Sequence, residues 1–113
     1  MKHIIATKKA PAAVGPYNQA IVAGDFVFCS GQIPIDPETG AMVSCGFAEQ
    51  TEQVLKNVSA VLSAENLTLL NVVKATVFAT DMAAFPVVNE VYARFFASEP
   101  PARSFVQVGA LPK

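Results

Sequence analysis

Arg103 stands in Pro100-Pro101-Ala102-Arg103-Ser104-Phe105 and is the only charge between Glu99 and Lys113. Its guanidinium stays charged at any ordinary pH, and its planar fork matches a carboxylate or a phosphate. Two prolines stiffen the chain just before it. Either the arginine opens a strand with its head in water or against a structural acid, or it clamps an anion. Around it, Tyr17, Ser30, Gln32 and Asn89 fall at the ends of expected elements. Each has a structural reading of its own, and their spacing does not prove a site. Together they are compatible with one that binds a small anion and holds a water.

Other chemistry finds little support. His3 is the single histidine and sits near a terminus, so no Ser-His-Asp arrangement is possible around a second one. Cys29 and Cys45 make neither a disulfide framework nor a metal pattern. Gly24 and Gly31 are isolated turn glycines, not a phosphate-binding loop.

The elements that must position these residues follow from periodicity. Ile4-Ile5 reads as a short first strand, and Ala20–Ala23 and Phe26–Cys29 flank Gly24-Asp25 as a hairpin. Phe47 to Glu65 has apolar residues at helical spacing, with Asn66 as a left-handed stop. Val72 to Thr80 alternates and is β-branched, hence a strand. Asp81 suits a turn cap. Pro86 suits the first turn of a second helix running to about Ala97, whose buried stripe is Phe85, Val88, Val91, Tyr92, Phe95 and Phe96. Arg103 to Val108 is the next strand. The expected fold is α+β, a two-layer sandwich of a mixed β-sheet with two helices on one face.

At 113 residues the chain makes one domain, residues 1–113. It is 52% hydrophobic and 15% charged, and a domain this small buries only about 60–70% of its unfolded surface. The surplus predicts an oligomer. A net charge of −1 and no basic run beyond Lys8-Lys9 leave no footprint for nucleic acid. No apolar run nears the ~20 residues of a membrane span, and the N-terminus has no secretory signal pattern. A reduced, cytoplasmic protein is expected.

Several collinear segments resemble the Rid family of reactive-intermediate deaminases, also called the YjgF or L-PSP family. They are Ala10–Tyr17, Ser30-Gly31-Gln32-Ile33-Pro34, Lys74–Phe78, Val88-Asn89-Glu90-Val91-Tyr92, and Pro101-Ala102-Arg103-Ser104 with Leu111-Pro112-Lys113. The resemblance implies a chorismate-mutase-like fold and a homotrimer with ligand sites between adjacent subunits. It gives Arg103 the grip on a substrate carboxylate and makes Tyr17, Ser30, Gly31 and Asn89 pocket residues. The implied reaction is hydrolysis of 2-imino or enamine acids, such as 2-iminobutanoate and 2-iminopropanoate, to 2-oxo acids and ammonia. Pyridoxal-phosphate dehydratases release such intermediates, and no cofactor is implied for this protein itself.

Two departures from the family pattern bear on the site. Many members carry a cysteine where this chain has Phe105, which by strand alternation shares the pocket with Arg103 and narrows it. The family also continues past Leu-Pro-Lys into a strand with a water-positioning glutamate, so a further strand is expected after Lys113. Non-catalytic binding of small carboxylates or partner proteins is the alternative reading. An endoribonuclease or translation-inhibitor role, also attached to the family, is disfavoured by the acidic composition and the lack of a histidine pair.

Overall fold

The computed structural model describes residues 2–113. β1 (Lys2–Ile5), β2 (Ala20–Ala23) and β3 (Phe26–Cys29) form an antiparallel sheet in sequential order. Gly24 turns the hairpin with φ 59°, a backbone region that glycine enters without steric cost. α1 (Phe47–Ser63) follows a long connection, and β4 (Lys74–Ala79), α2 (Phe85–Phe95) and β5 (Ala102–Gln107) form a parallel crossover unit.

The expected boundaries hold within a few residues, and local chemistry explains the differences. α1 closes in a Schellman arrangement: Leu67 N donates to Leu62 O and Asn66 N to Ser63 O, both at 3.0 Å, with Asn66 at φ 60°. β4 starts at Lys74 rather than Val72 because Thr68 caps a 3₁₀ turn over Leu69–Asn71 that uses the preceding residues. Asp81 accepts from Ala83 N at 2.9 Å and caps the turn leading into α2, where Pro86 occupies the first turn. α2 ends at Phe95, short of Ala97.

The strands run in mixed directions but are hydrogen-bonded as two groups, the antiparallel trio and the β4–β5 pair, rather than as one ladder. The helical layer spans both. Val61 of α1 packs with Ile5, Ala10 and Ala20 beneath the trio. Leu55, about two turns earlier, packs with Tyr92 and Phe96, and Val77 of β4 joins that cluster. Sheet alternation turns Ile5, Val22 and Val27 toward the core.

The opposite face of the trio has apolar residues and no covering helix. Ile4, Ile21 and Phe28 form one cross-strand row. Phe26 and Phe28 are 62% and 63% exposed, a large apolar area for one short strand. On the β4–β5 pair, Phe78 and Val106 lie opposite each other and are also exposed. No described helix is long and apolar enough to cross a membrane.

Candidate functional site

Arg103 enters β5 beside Ala75 of β4, in a parallel register that also sets Phe105 beside Val77. Ala102 N donates to Val73 O at 3.1 Å and anchors the strand start. Arg103 and Phe105 are the half-buried positions of this alternating strand, while Ala102, Ser104 and Val106 are exposed. On α2, Phe85, Asn89 and Tyr92 follow i, i+4, i+7 spacing and share one side of the helix.

The Arg103 head meets that side. Its guanidinium carbon lies 4.8 Å from the Tyr92 ring centroid, 5.4 Å from that of Phe105 and 5.5 Å from that of Phe85. Phe85 and Phe105 themselves meet edge-on at 4.9 Å, and Tyr92 packs on Phe96 at 4.6 Å. The two ion pairs among the described residues, His3–Glu65 and Lys56–Glu52, lie elsewhere. No described side chain or backbone carbonyl accepts a hydrogen bond from the guanidinium. The structural-acid reading of Arg103 is therefore not what the fold adopts. Three aromatic faces attract the cation and leave its N–H rim free. Phe105 is one wall of this arrangement.

The Tyr92 hydroxyl is buried with no hydrogen-bond partner among the described residues. Burial raises its pKa above the ordinary tyrosine value, and the Arg103 charge partly offsets that shift.

Tyr17, Ser30 and Gly31 make a second group at the end of β3. Ser30 Oγ donates to Asn18 O at 2.6 Å and Ser30 N to Gln19 O at 3.0 Å. Tyr17 is exposed, and its hydroxyl accepts from Val14 N at 3.2 Å across a tight loop. Gln32 lies next in line, its amide reaching toward Ser30 O at 3.5 Å. Among the described residues, no hydrogen bond, ring contact or strand pairing joins this group to Asn89, Arg103 or Phe105. The candidate residues thus fall into two separate groups within one chain. Two open grooves, of about 330 and 310 Å³, are lined by residues of neither group.

Two residues that periodicity did not single out hold the backbone around the second group in place. Gln19 is buried and accepts from Thr7 N at 2.7 Å. Its amide donates to the carbonyls of Thr7, Ala10 and Pro11 at 3.0, 3.3 and 2.8 Å. It ties the loop carrying Tyr17 to the root of β2. Asn57 is 1% exposed, donates to Ile33 O and Ile35 O, and accepts from Gln53. It pins the segment that leaves Gly31. Its signal in the sequence is a polar residue three after Val54 and four before Val61, on the apolar stripe of α1.

Cys29 and Cys45 are unpaired, and desolvation pushes the Cys29 thiol up, away from the reactive thiolate. Among the described residues no cluster of three His, Cys, Asp or Glu is placed to hold a metal ion.

The endoribonuclease L-PSP family profile matches residues 7–113. The chain belongs to this family, which is also called the Rid or YjgF family. It is 46% identical over 113 residues to human 2-iminobutanoate/2-iminopropanoate deaminase, covering all of this chain and 82% of that protein. It is 50% identical over 111 residues to chloroplastic Reactive Intermediate Deaminase A of Arabidopsis thaliana, covering 98% of this chain and 59% of that protein. Among solved structures it superposes on E. coli TdcF with bound serine, at a TM-score of 0.94 and 44% identity, over 98% of this chain and 89% of that one.

Proposed function

We propose that this protein hydrolyses reactive 2-imino acids and their enamine tautomers, such as 2-iminobutanoate and 2-iminopropanoate, to 2-oxo acids and ammonia. The observation that carries the reading is the Arg103 head, held among Phe85, Tyr92 and Phe105 with no acid or carbonyl partner among the described residues. A guanidinium so placed is suited to two parallel bonds with a substrate carboxylate. The names of the human and Arabidopsis relatives supply the reaction class. The serine bound to the E. coli relative is a small molecule with the carboxylate that such a clamp requires.

The chemistry asks little of the protein beyond positioning. A protonated imine is already electrophilic at C2. Water adds there, one proton is lost to solvent, and the tetrahedral carbinolamine collapses. The C–N bond breaks, ammonia leaves, and the C2 oxygen becomes the new carbonyl. Holding the carboxylate fixes C2 relative to the water and removes much of the entropic barrier. In this reading Asn89, on the same side of α2 as Phe85 and Tyr92, meets the substrate beside Arg103. No cofactor enters this scheme.

Tyr17, Ser30 and Gly31 complete the pocket in this reading from a neighbouring subunit of a homotrimer. The apolar outer face of the trio, with Phe26 and Phe28 exposed, supports such an assembly. The two unpaired cysteines suit a reduced, cytoplasmic setting. The test generates 2-iminobutanoate with a threonine dehydratase and follows ammonia release with and without this protein. Acceleration in proportion to the protein added is expected. Release at the uncatalysed rate leaves a carboxylate-binding module in place of an enzyme.

A further inference from the structure

We propose that Phe85, Tyr92 and Phe105 are positioning residues for the anion clamp. Their rings hold the Arg103 guanidinium in one pose with its N–H edge facing outward for a planar two-oxygen anion. The proposal rests on the reading of Arg103 as a carboxylate clamp and adds what orients it.

A long, flexible arginine loses rotamer freedom when it binds an anion, so a head fixed beforehand binds more tightly. An acid is the usual means of fixing it, but an acid occupies the N–H groups and cancels the charge. Aromatic faces do neither, because the attraction runs to the π-cloud and not through the donors. Here three rings converge on one guanidinium carbon, at 4.8, 5.4 and 5.5 Å. They come from two elements, so no single rotation releases the head. The Phe85–Phe105 edge contact at 4.9 Å joins those elements around it. A second link is independent of the rings: Met82 N, just before α2, donates to Gln107 Oε1 at 2.8 Å, which ties the approach to Phe85 to the end of β5. Tyr92 is buried and backed by Phe96, so the deepest ring of the cradle cannot swing away.

The experiment reads the pose and the binding separately. The Arg103 Nε–H resonance, assigned by its disappearance in Arg103→Lys, reports ring currents from the cradle. Calorimetric titration with 2-oxobutanoate reports the clamp without requiring turnover. Phe105→Leu and Phe85→Leu are compared with the unaltered protein after thermal melts establish that they are folded. Phe85 is in the first turn of α2 and 37% exposed, so its variant decides the matter if Phe105→Leu does not fold. The resonance is expected upfield in the unaltered protein and closer to the free-arginine position in each folded variant. The Kd for 2-oxobutanoate is expected to rise about fivefold, the factor that ~1 kcal/mol of cation–π attraction commands. A resonance that does not move, a Kd change under threefold in folded variants, or no binding by the unaltered protein overturns the proposal. Intact binding without imino-acid turnover instead sinks the deaminase reading and leaves the cradle standing.

Discussion

The guanidinium of Arg103 and the ring of Tyr92 face each other at 4.8 Å across the seam between β5 and α2. This contact links a strand that carries charge to a helix stripe that periodicity reads as core. The Arg103 group therefore belongs to the β4–α2–β5 crossover, separate from the hairpin that leads to Ser30.

Arg103→Ala is expected to lower imino-acid hydrolysis at least about 100-fold, since two charge-assisted bonds at ~1.5 kcal/mol or more each are lost from the transition state. Arg103→Lys should also lose most activity, because an ammonium cannot form two parallel coplanar bonds. Both variants should remain folded, since no described hydrogen bond or ion pair depends on the arginine head. Ammonia-release rates beside circular-dichroism melts decide the point. Near-normal turnover by Arg103→Ala would remove the carboxylate clamp from consideration.

Tyr92→Phe removes a buried hydroxyl that has no partner among the described residues. Stability at neutral pH is expected to stay level or rise by up to ~1 kcal/mol, because a desolvated donor disappears. The pH dependence follows from the raised pKa. The folded state disfavours ionised Tyr92, so its contribution is fully present below the unfolded value near 10.0 and is lost as pH rises through the higher folded value. Urea midpoints of the two proteins compared from pH 8 to pH 11 should diverge only at the alkaline end, with the variant the less sensitive. Parallel curves throughout would contradict this.

Gln19→Ala and Asn57→Ala should each destabilise the fold by ~2–4 kcal/mol, since they leave three and two buried or half-buried carbonyls, respectively, without their donor. The Gln19 variant should also expose the loop before β2 to protease. Chemical denaturation measures the first effect and mapping of the cleavage site the second. A loss under ~0.5 kcal/mol in both would show that these networks only decorate the loops.

Phe28→Asp places a charge at the β3 end of the Ile4–Ile21–Phe28 row on the uncovered sheet face. Sedimentation equilibrium should find three chain masses for the unaltered protein at micromolar concentration and one for the variant. A stable monomer before any substitution would end the trimer proposal, and with it a pocket completed by a neighbour.

Much of the fold is legible because it is locally specified. Asn66 stops α1, Asp81 caps the turn before α2, Pro86 opens that helix and Gly24 turns the hairpin, each through chemistry within a few residues. The grouping of strands is less legible, since alternation marks a strand without naming its hydrogen-bonding neighbour. Asn57 escapes notice because its partners, Ile33 O and Ile35 O, are more than twenty residues away and are backbone atoms of no special type. Arg103 stands out as a lone charge, but its surroundings do not. Phe85 and Tyr92 belong to an ordinary apolar stripe, and only the packing of α2 on β5 turns their faces toward a cation. Phe105 is legible as a neighbour of Arg103 by alternation, whereas its edge contact with Phe85 depends on that same packing.

The alternation of β5 also limits how this chain can drift in length. Arg103 and Phe105 face α2, whereas Ala102, Ser104 and Val106 are exposed. A slip of β5 by one residue against β4 would turn the guanidinium outward and present a small side chain, Ala102 or Ser104, to Tyr92. Such a change has no half-measure: the clamp is wholly kept or wholly lost. Insertions and deletions between Arg103 and Phe105, inside the strand, are therefore expected to be excluded wherever Arg103 must meet α2. The Gly24-Asp25 turn belongs to the other strand group, so a change of length there leaves the pairing of Arg103 with Ala75 untouched.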